Sequence, residues 1–593
     1  MKRITIAIFL VITVAIFGQI FFGNIHAHTS YSDGRGTPEQ AFKYARDSGV
    51  VDIQAITDHC HDLVYPLPDG SMKLNVIRQM AQKYTVEGEF IAISGYEWTL
   101  TSRGHITIYN TVDFLDRGRS DLFDIYAWIV EQKATAQFCH PGKTYGDFFD
   151  FVYFPEVDLY INTIEVGNGA GKSNNVIKPE YVERYQRALN RGWHVGASAN
   201  QDNHDENWAT ANDARTAFVI DELTTEKVYQ ALATRSIYAT EDRDAFISFS
   251  CEEAKMGEIA YDVPNARLRI EYSDPGEPVA SAYLYSNHGV RRLDVSGDSW
   301  TTEVEVDNSL SYNWYFVKID QIDGNEIVSS PIWFQSSSGH YLLNARTIRP
   351  RVVFKREFEI AFDLINSSRD DGIFSVTLSS QSGIALQKEY SVPAMTCVDF
   401  TESVYCEDSS LAFYVNDELA FNISVDFVNF VANLDTTHEN YYVSELRSLT
   451  DFLKELGGEI NPLIGEMTES AVRNGDVLIL PLPDNDTFMK DFMAISEKQI
   501  SFVADYVQNG GLLIIVLARK PITHRAIGSY EALFERLSRE LFLIDGGTAF
   551  EGNREASTEE SGGIIILDWD VATGKESMKP VDIDYIRTFL KVR

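Results

Sequence analysis

Between about residues 21 and 245, short apolar strands alternate with helices, and histidines and carboxylates recur where the strands end. Strands are expected over residues 20–25, 51–56, 90–95, 105–109, 135–138, 161–166, 195–199 and 216–220. A helix separates the first two: Thr37 is its N-cap, Pro38 its first residue, Gln40 completes a capping box and Gly49 ends it. Residues 179–191 and 224–234 read as further helices. Repeated strand–helix units imply a parallel sheet or barrel, whose strand ends open on one common face.

Past about residue 246 the texture turns to β alone. Leu268, Ile270 and Tyr272 alternate with polar residues, as do Val304 and Val306, and Asp323-Gly324 signals a hairpin. Ser336-Ser337-Ser338-Gly339 reads as a linker. A second alternating stretch follows, with Phe358, Ile360, Phe362 and Leu364, then Asp371-Gly372, then Phe374, Val376 and Leu378. Both stretches look like small antiparallel sandwiches. From about Asp426 helices return. Leu446, Leu449, Leu453 and Leu456 mark one helix face, and Ser496 caps another with Ile500, Val503 and Val507 inward. The apolar runs 477–480 and 512–517 suit buried parallel strands. The expected division is 1–18, 19–245, 246–338, 339–425 and 426–593, the last an α/β Rossmann-like domain.

A chain of 593 residues is too long for one core. It carries 51 basic and 87 acidic residues, a net charge of −36, which argues against nucleic-acid binding. A phosphate-bearing substrate would need local positive charge, and bound metal ions are a ready source. Lys2 and Arg3 followed by the apolar run 4–17 read as a signal peptide over 1–18, hence a periplasmic or extracellular location. The run is short for a membrane span, and the alternative is an N-terminal anchor continuing through Ile20-Phe21-Phe22. Five scattered cysteines do not make a disulfide framework; Cys397 and Cys406 either pair across a hairpin or are free.

Eight of the twelve histidines fall in the first 204 residues. His26-Ala27-His28 ends the first strand, and Asp33 follows in a Ser-Asp-Gly turn. Asp58-His59 ends the second strand, Glu97 the third; His105 follows Gly104, His140 precedes Pro141, and Asp202-Asn203-His204 closes a late strand. His26 and His28, two apart, share one side of a strand and can reach one ion. Imidazole and carboxylate donors together suit Zn, Mn or Fe, and burying so many without an ion would be costly. His61 and His194 fall outside the set. Asp58 is expected to orient His59, and Glu165 is balanced between site wall and ordinary strand end.

The ordered set His26-Ala27-His28-Thr29, Ser32-Asp33-Gly34, Thr57-Asp58-His59, Glu97, His105, His140-Pro141 and Asp202-Asn203-His204 resembles the PHP (polymerase and histidinol phosphatase) domain over about residues 24–240. The resemblance implies a distorted (β/α)7 barrel holding two or three divalent ions, and hydrolysis of phosphate mono- or diesters by metal-bound hydroxide. It implies that His26, His28, Glu97 and Asp202 hold one ion. Glu97 would bridge to a second, held by His105 and His140, and Asp33, His59 and His204 would hold a third. Gln201 and Cys60 depart from the family's usual neighbours without removing a ligand. Arg103, Lys143 and Arg215 lie near these motifs and are candidate phosphate contacts.

The β modules resemble immunoglobulin-like modules, and the last domain resembles glutamine-amidotransferase-like folds. No cysteine follows Cys406, which excludes a thiol nucleophile there, and Asp435 and His438 are expected to be solvated loop residues. For the β modules adhesion, substrate presentation and simple spacing are all open; the last domain reads as a binding or interaction module, protein or glycan contacts are possible through these modules, and the expected substrate is a phosphorylated small molecule or envelope component. The alternatives are an amidohydrolase-type metal hydrolase, against which the Thr-Asp-His, Gly-Tyr-Glu and Asp-Asn-His elements argue, and a non-catalytic envelope-binding protein on a metal-binding barrel.

Overall fold

A computed structural model describes residues 19–170, 176–349, 351–438, 443–482, 494–517, 527–537, 540–544, 547–551, 563–567 and 569–591. The proposed signal peptide lies outside these. The chain is multidomain and built mostly of sheet, in several separate sheets. Among the described residues no helix is long and apolar enough to cross a membrane.

The N-terminal strands are β1 (Gln19–Asn24), β2 (Ile53–Ile56), β3 (Ile91–Leu100), β4 (Gly104–Tyr109), β5 (Thr135–Cys139), β6 (Ile161–Asn168), β7 (Gly196–Asn200), β8 (Arg215–Ile220) and β9 (Ile237–Thr240). β1 to β7 lie side by side in chain order. The row is mixed rather than purely parallel. β1–β2–β3 and β5–β6–β7 pair in parallel, while β4 runs against both β3 and β5. That reversal matters for the chemistry: β4 presents its first residues, Gly104 and His105, at the end where the other six present their last. At this same end the row's two edges meet. Ala27 and Asn203 form a parallel bridge, the His28 amide donates to the Asn203 carbonyl at 2.9 Å, and the Asp202 amide donates to the His26 carbonyl at 3.0 Å.

Helices cover the outside. Pro38–Ser48 has the expected Thr37–Gln40 capping box and ends at Gly49 in the left-handed region, so its buried Ala41, Phe42 and Ala45 are aimed at the sheet. Lys73–Tyr84, Leu122–Gln132, Pro179–Asn190 and Thr225–Ala233 complete this layer.

The stretch 246–338 is not the free-standing sandwich that its alternation predicts. One of its sheets, Phe246–Ser250, Asn265–Ser273 and Ser299–Asp307, is separate and antiparallel. The facing sheet continues the N-terminal one, because Glu326–Ser329 pairs with β9 through Ile327↔Thr240, Val328↔Ala239 and Ser329↔Tyr238. Trp314, Phe316, Val328 and Trp333 are buried in the same core as Ile164, Tyr185 and Trp193. Buried Glu241 reinforces the joint, accepting from the amides of Val176, Ile177 and Glu326.

The next module packs His340–Thr347, Phe358–Asn366 and Thr396–Val404 against a four-stranded sheet, around Phe362, Phe374 and Phe413. The last unit has five parallel strands in the order Gly458–Leu463, Phe430–Asp435, Val477–Pro481, Leu512–Val516, Gly563–Leu567. Asp435 and His438 at its first strand end are buried, not solvated, and bond to each other at 2.6 Å. All five cysteines are free, so Cys397 and Cys406 do not pair.

Candidate metal centre

The mouth formed by β1 to β7 gathers all nine residues of the sequence pattern. Glu97 is the hub. It is 1% exposed and lies inside β3, which runs on to Leu100 instead of stopping there. Its Oε1 is 3.0 Å from His105 Nδ1, 3.2 Å from His140 Nε2 and 3.6 Å from His26 Nε2. Its Oε2 is 2.7 Å from His59 Nδ1 and 3.6 Å from His28 Nε2. Asp202 Oδ1 lies 3.5 Å from His26 Nε2 and 3.1 Å from His28 Nε2. Asp33 Oδ1 lies 3.4 Å from His59 Nε2 and 3.3 Å from His204 Nε2.

These atoms fall into groups compact enough to hold an ion. They include His26, His28 and Glu97; His26, His140 and Asp202; Glu97, His105 and His140; and His28, Asp33, His59 and His204, with donor atoms within 4.8 Å of one another in each. His28 reaches both the first and the last of these, a sharing that its position on the first strand did not announce.

The donor chemistry fits divalent cations. His26 and His28 point Nε2 at each other across 3.3 Å, a contact that leaves two ring nitrogens competing for one proton. Buried atoms without an aligned hydrogen bond cluster here: His59 Nδ1, Glu97 Oε2, His105 Nε2, His140 Nδ1 and Asp202 Oδ1. The first two are 2.7 Å apart, yet their geometry is not that of a hydrogen bond. Such atoms are rare in a folded interior and call for a ligand. Two of the nine residues also sit at positive φ, His140 at 28° and Asp202 at 46°, which side chains other than glycine seldom adopt.

Charge coupling is strong. Burial would raise Glu97 and Asp202, but His105, His59 and His26 hold Glu97 well below the usual carboxylate range, and His26 and His28 do the same for Asp202. Burial opposes charge on His59, but Glu97 and Asp33 carry its pKa up to about 10. Burial wins at His28 and His105, which are lowered.

A shell of partners fixes these side chains. Glu165, fully buried, accepts from His26 Nδ1 at 3.0 Å and from the His140 amide at 2.8 Å, and also from Asn168 and Asn200 at 3.0 Å. It therefore belongs to the site wall. Asp58 does not orient His59. It accepts from the Thr29 amide at 2.7 Å, Thr29 Oγ1 at 2.7 Å and Ser32 Oγ at 2.6 Å, and Ser32 Oγ in turn lies 3.3 Å from His28 Nδ1. Gly34 permits the neighbouring turn, since a Cβ there would stand 2.9 Å from the His28 carbonyl carbon. The indole of Trp208, which the sequence pattern did not flag, donates to the His28 carbonyl at 2.9 Å.

The three candidate phosphate contacts separate. Arg215 is buried, and its Nη1 and Nη2 donate to the carbonyls of Asn212, Ala214 and Ala209, so these donors are taken by the loop before β8 rather than offered to a substrate, while its Nε is buried without a partner. Arg103 is half-buried and stacks 4.4 Å above the Phe149 ring. Lys143 is exposed on the loop after His140. His61 stacks on His59 with ring centroids 5.3 Å apart, and His194 bonds Asp158 at 2.6 Å, away from the nine.

No family model matches the chain, and no curated protein matches it. Among solved structures the chain is similar to a two-domain protein from Bacteroides vulgatus containing a predicted PHP-like metal-dependent phosphoesterase, at 17% identity and a TM-score of 0.31, over 51% of this chain and 91% of that one. It is also similar to fibronectin(III)-like modules from Clostridium thermocellum, at 12% identity and a TM-score of 0.12, over 30% of this chain and 94% of that one. Neither likeness is close enough to assign a family or an activity.

Proposed function

We propose that the N-terminal unit is a PHP-type barrel that hydrolyses phosphate esters with two or three divalent ions, in an exported protein. The observation that carries this reading is the convergence of nine histidines and carboxylates, from six separate segments, on one mouth with Glu97 at its centre. His26, His28, Glu97 and Asp202 would hold one ion, Glu97, His105 and His140 a second, and Asp33, His59 and His204 a third. Bound there, such ions supply positive charge for phosphoryl oxygens and lower the pKa of water enough to make it a nucleophile.

The chain's own part is placement. Glu165 holds the proton of His26 on Nδ1 and so keeps Nε2 free to donate its lone pair. Asp58 pins the Thr29–Ser32 turn that carries His28 toward the mouth. Arg103 and Lys143 remain the candidate contacts for a substrate phosphate. The expected substrate is a phosphorylated small molecule or envelope component, and the modules beyond residue 246 are read as contacts for protein or glycan.

Full-length protein loaded with Mn or Zn should hydrolyse aryl phosphate mono- or diesters, while His26→Ala and Asp202→Ala abolish turnover and lower bound metal measured by elemental analysis. Hydrolysis of amides or lactones alone, or unchanged metal stoichiometry in both variants, overturns the reading.

A further inference from the structure

The rim beside His105 and His140 carries an aromatic ring that nothing in the metal set requires. Tyr145 is 41% exposed, yet its ring centroid lies 4.8 Å from that of His105 and 4.6 Å from that of His140, tilted by 44° and 57°. An exposed tyrosine on a loop is ordinarily free to swing. This one is held. Gly142 and Gly146 exchange amide–carbonyl bonds of 3.0 and 2.8 Å, closing a hairpin whose tip is Lys143, Thr144 and Tyr145. Gly146 has φ +111°, and a Cβ on it would stand 2.7 Å from the Arg103 nitrogen, so the hairpin lies directly on the turn before β4. The Phe148 amide then donates to the Arg103 carbonyl at 2.8 Å. The backbone that carries the tyrosine is thus set by the two loops that deliver His105 and His140, and its ring leans on both imidazoles while part of it meets solvent.

We propose that Tyr145 is the platform for the leaving group, and that the substrates are phosphate esters of alcohols bearing a planar ring. This rests on the phosphoesterase reading, since the phosphoryl group must sit at the donor cluster for the ester's other half to reach the rim. A phenol ring against a planar ring gains from offset or edge contacts that an acyclic polyol cannot make. One such stack is worth enough to decide preference among esters sharing the same phosphoryl group. An aryl group and a nucleobase offer the same flat face, and the assay separates them.

The test uses the full chain loaded with Mn. The kcat/KM for phenyl phosphate and for a nucleoside monophosphate is each divided by that for glycerol 3-phosphate. Tyr145→Ala should lower at least one of these ratios about tenfold, the effect of one lost stack, while Tyr145→Phe holds it to within about twofold. The arm that falls names the ring. A ratio unchanged in Tyr145→Ala overturns the proposal, as does wild-type preference for a hexose phosphate over both planar substrates. Calorimetric binding of phenylphosphonate against methylphosphonate keeps the two readings apart. If no ester is turned over, the phosphoesterase reading fails, and an equal affinity ratio in wild type and Tyr145→Ala sinks the platform as well.

Discussion

Glu165 Oε1 accepts the Nδ1 proton of His26 at 3.0 Å, while the other oxygen of the same carboxylate takes the backbone amide of His140 at 2.8 Å. One buried side chain thus sets the tautomer of one candidate ligand and the strained backbone of another. Glu165→Gln keeps the shape but removes the charge and offers an amide where His26 needs an acceptor. Metal affinity should fall about 10–100-fold, with the circular-dichroism spectrum unchanged. Titration against a fluorescent chelator measures it; wild-type affinity would show that His26 needs no such partner.

The Asp58 clamp acts through Thr29 and Ser32. Ser32→Ala and Asp58→Ala should therefore each weaken metal binding, and the double variant should be clearly less impaired than the sum of the two. Strict additivity in the double-mutant cycle would mean that Asp58 works by another route.

Arg215 serves the fold. Arg215→Met leaves the carbonyls of Ala209, Asn212 and Ala214 without their donor and should cost roughly 3 kcal/mol of stability, read by denaturant titration. KM for a phosphate ester should stay within about twofold of wild type, since the guanidinium faces its own loop and forms no phosphate charge pair. A large KM rise at full stability would restore it as a substrate contact.

Asp274 gives a pH signature. Burial, then the nearby Asp242 and Asp244 carboxylates, push its carboxyl from the ordinary 3.8 up to about 6. Between those values the folded chain binds more protons than the unfolded one, so this group's contribution to stability falls as pH rises through 6. Asp274→Asn, which removes the charge, should raise Tm at pH 8 in chelator-containing buffer, and the gain should shrink toward pH 4. A gain independent of pH would contradict this.

Much of the site was legible because its signal is local. His26 and His28 follow the two-residue period of a strand, and the remaining donors sit beside a strand end or a turn glycine, except Glu97, which lies within β3. Asp58 was misread through adjacency, although alternate side chains of an extended segment point apart, and that rule separates Asp58 from His59. Glu165 was half legible: its strand was clear, but its partners come from three other segments. Arg215 looked like a rim cation because the carbonyls that consume it carry no mark in the sequence. The pairing of Ile327–Ser329 with β9 was invisible for a related reason. Strand alternation states which face is buried, not which edge is covered or by what.

That pairing has a consequence for how this protein can be divided. β9 has neighbours on both sides, β8 and Glu326–Ser329, and the aromatic residues of 312–333 pack into the N-terminal core against the helix Pro179–Asn190, where Tyr312 donates to the Leu189 carbonyl and Trp314 to the Asn190 side chain. A fragment ending at residue 245 would bare a strand edge and strip that packing from the helix, and such edges recruit other chains. A piece cut at residue 245 is therefore not a unit that recombination or a protein engineer can move intact, and because Tyr341, Leu343 and Ile365 lie in the same core, the fragment to express for a metal-binding assay runs from residue 19 through the second β module.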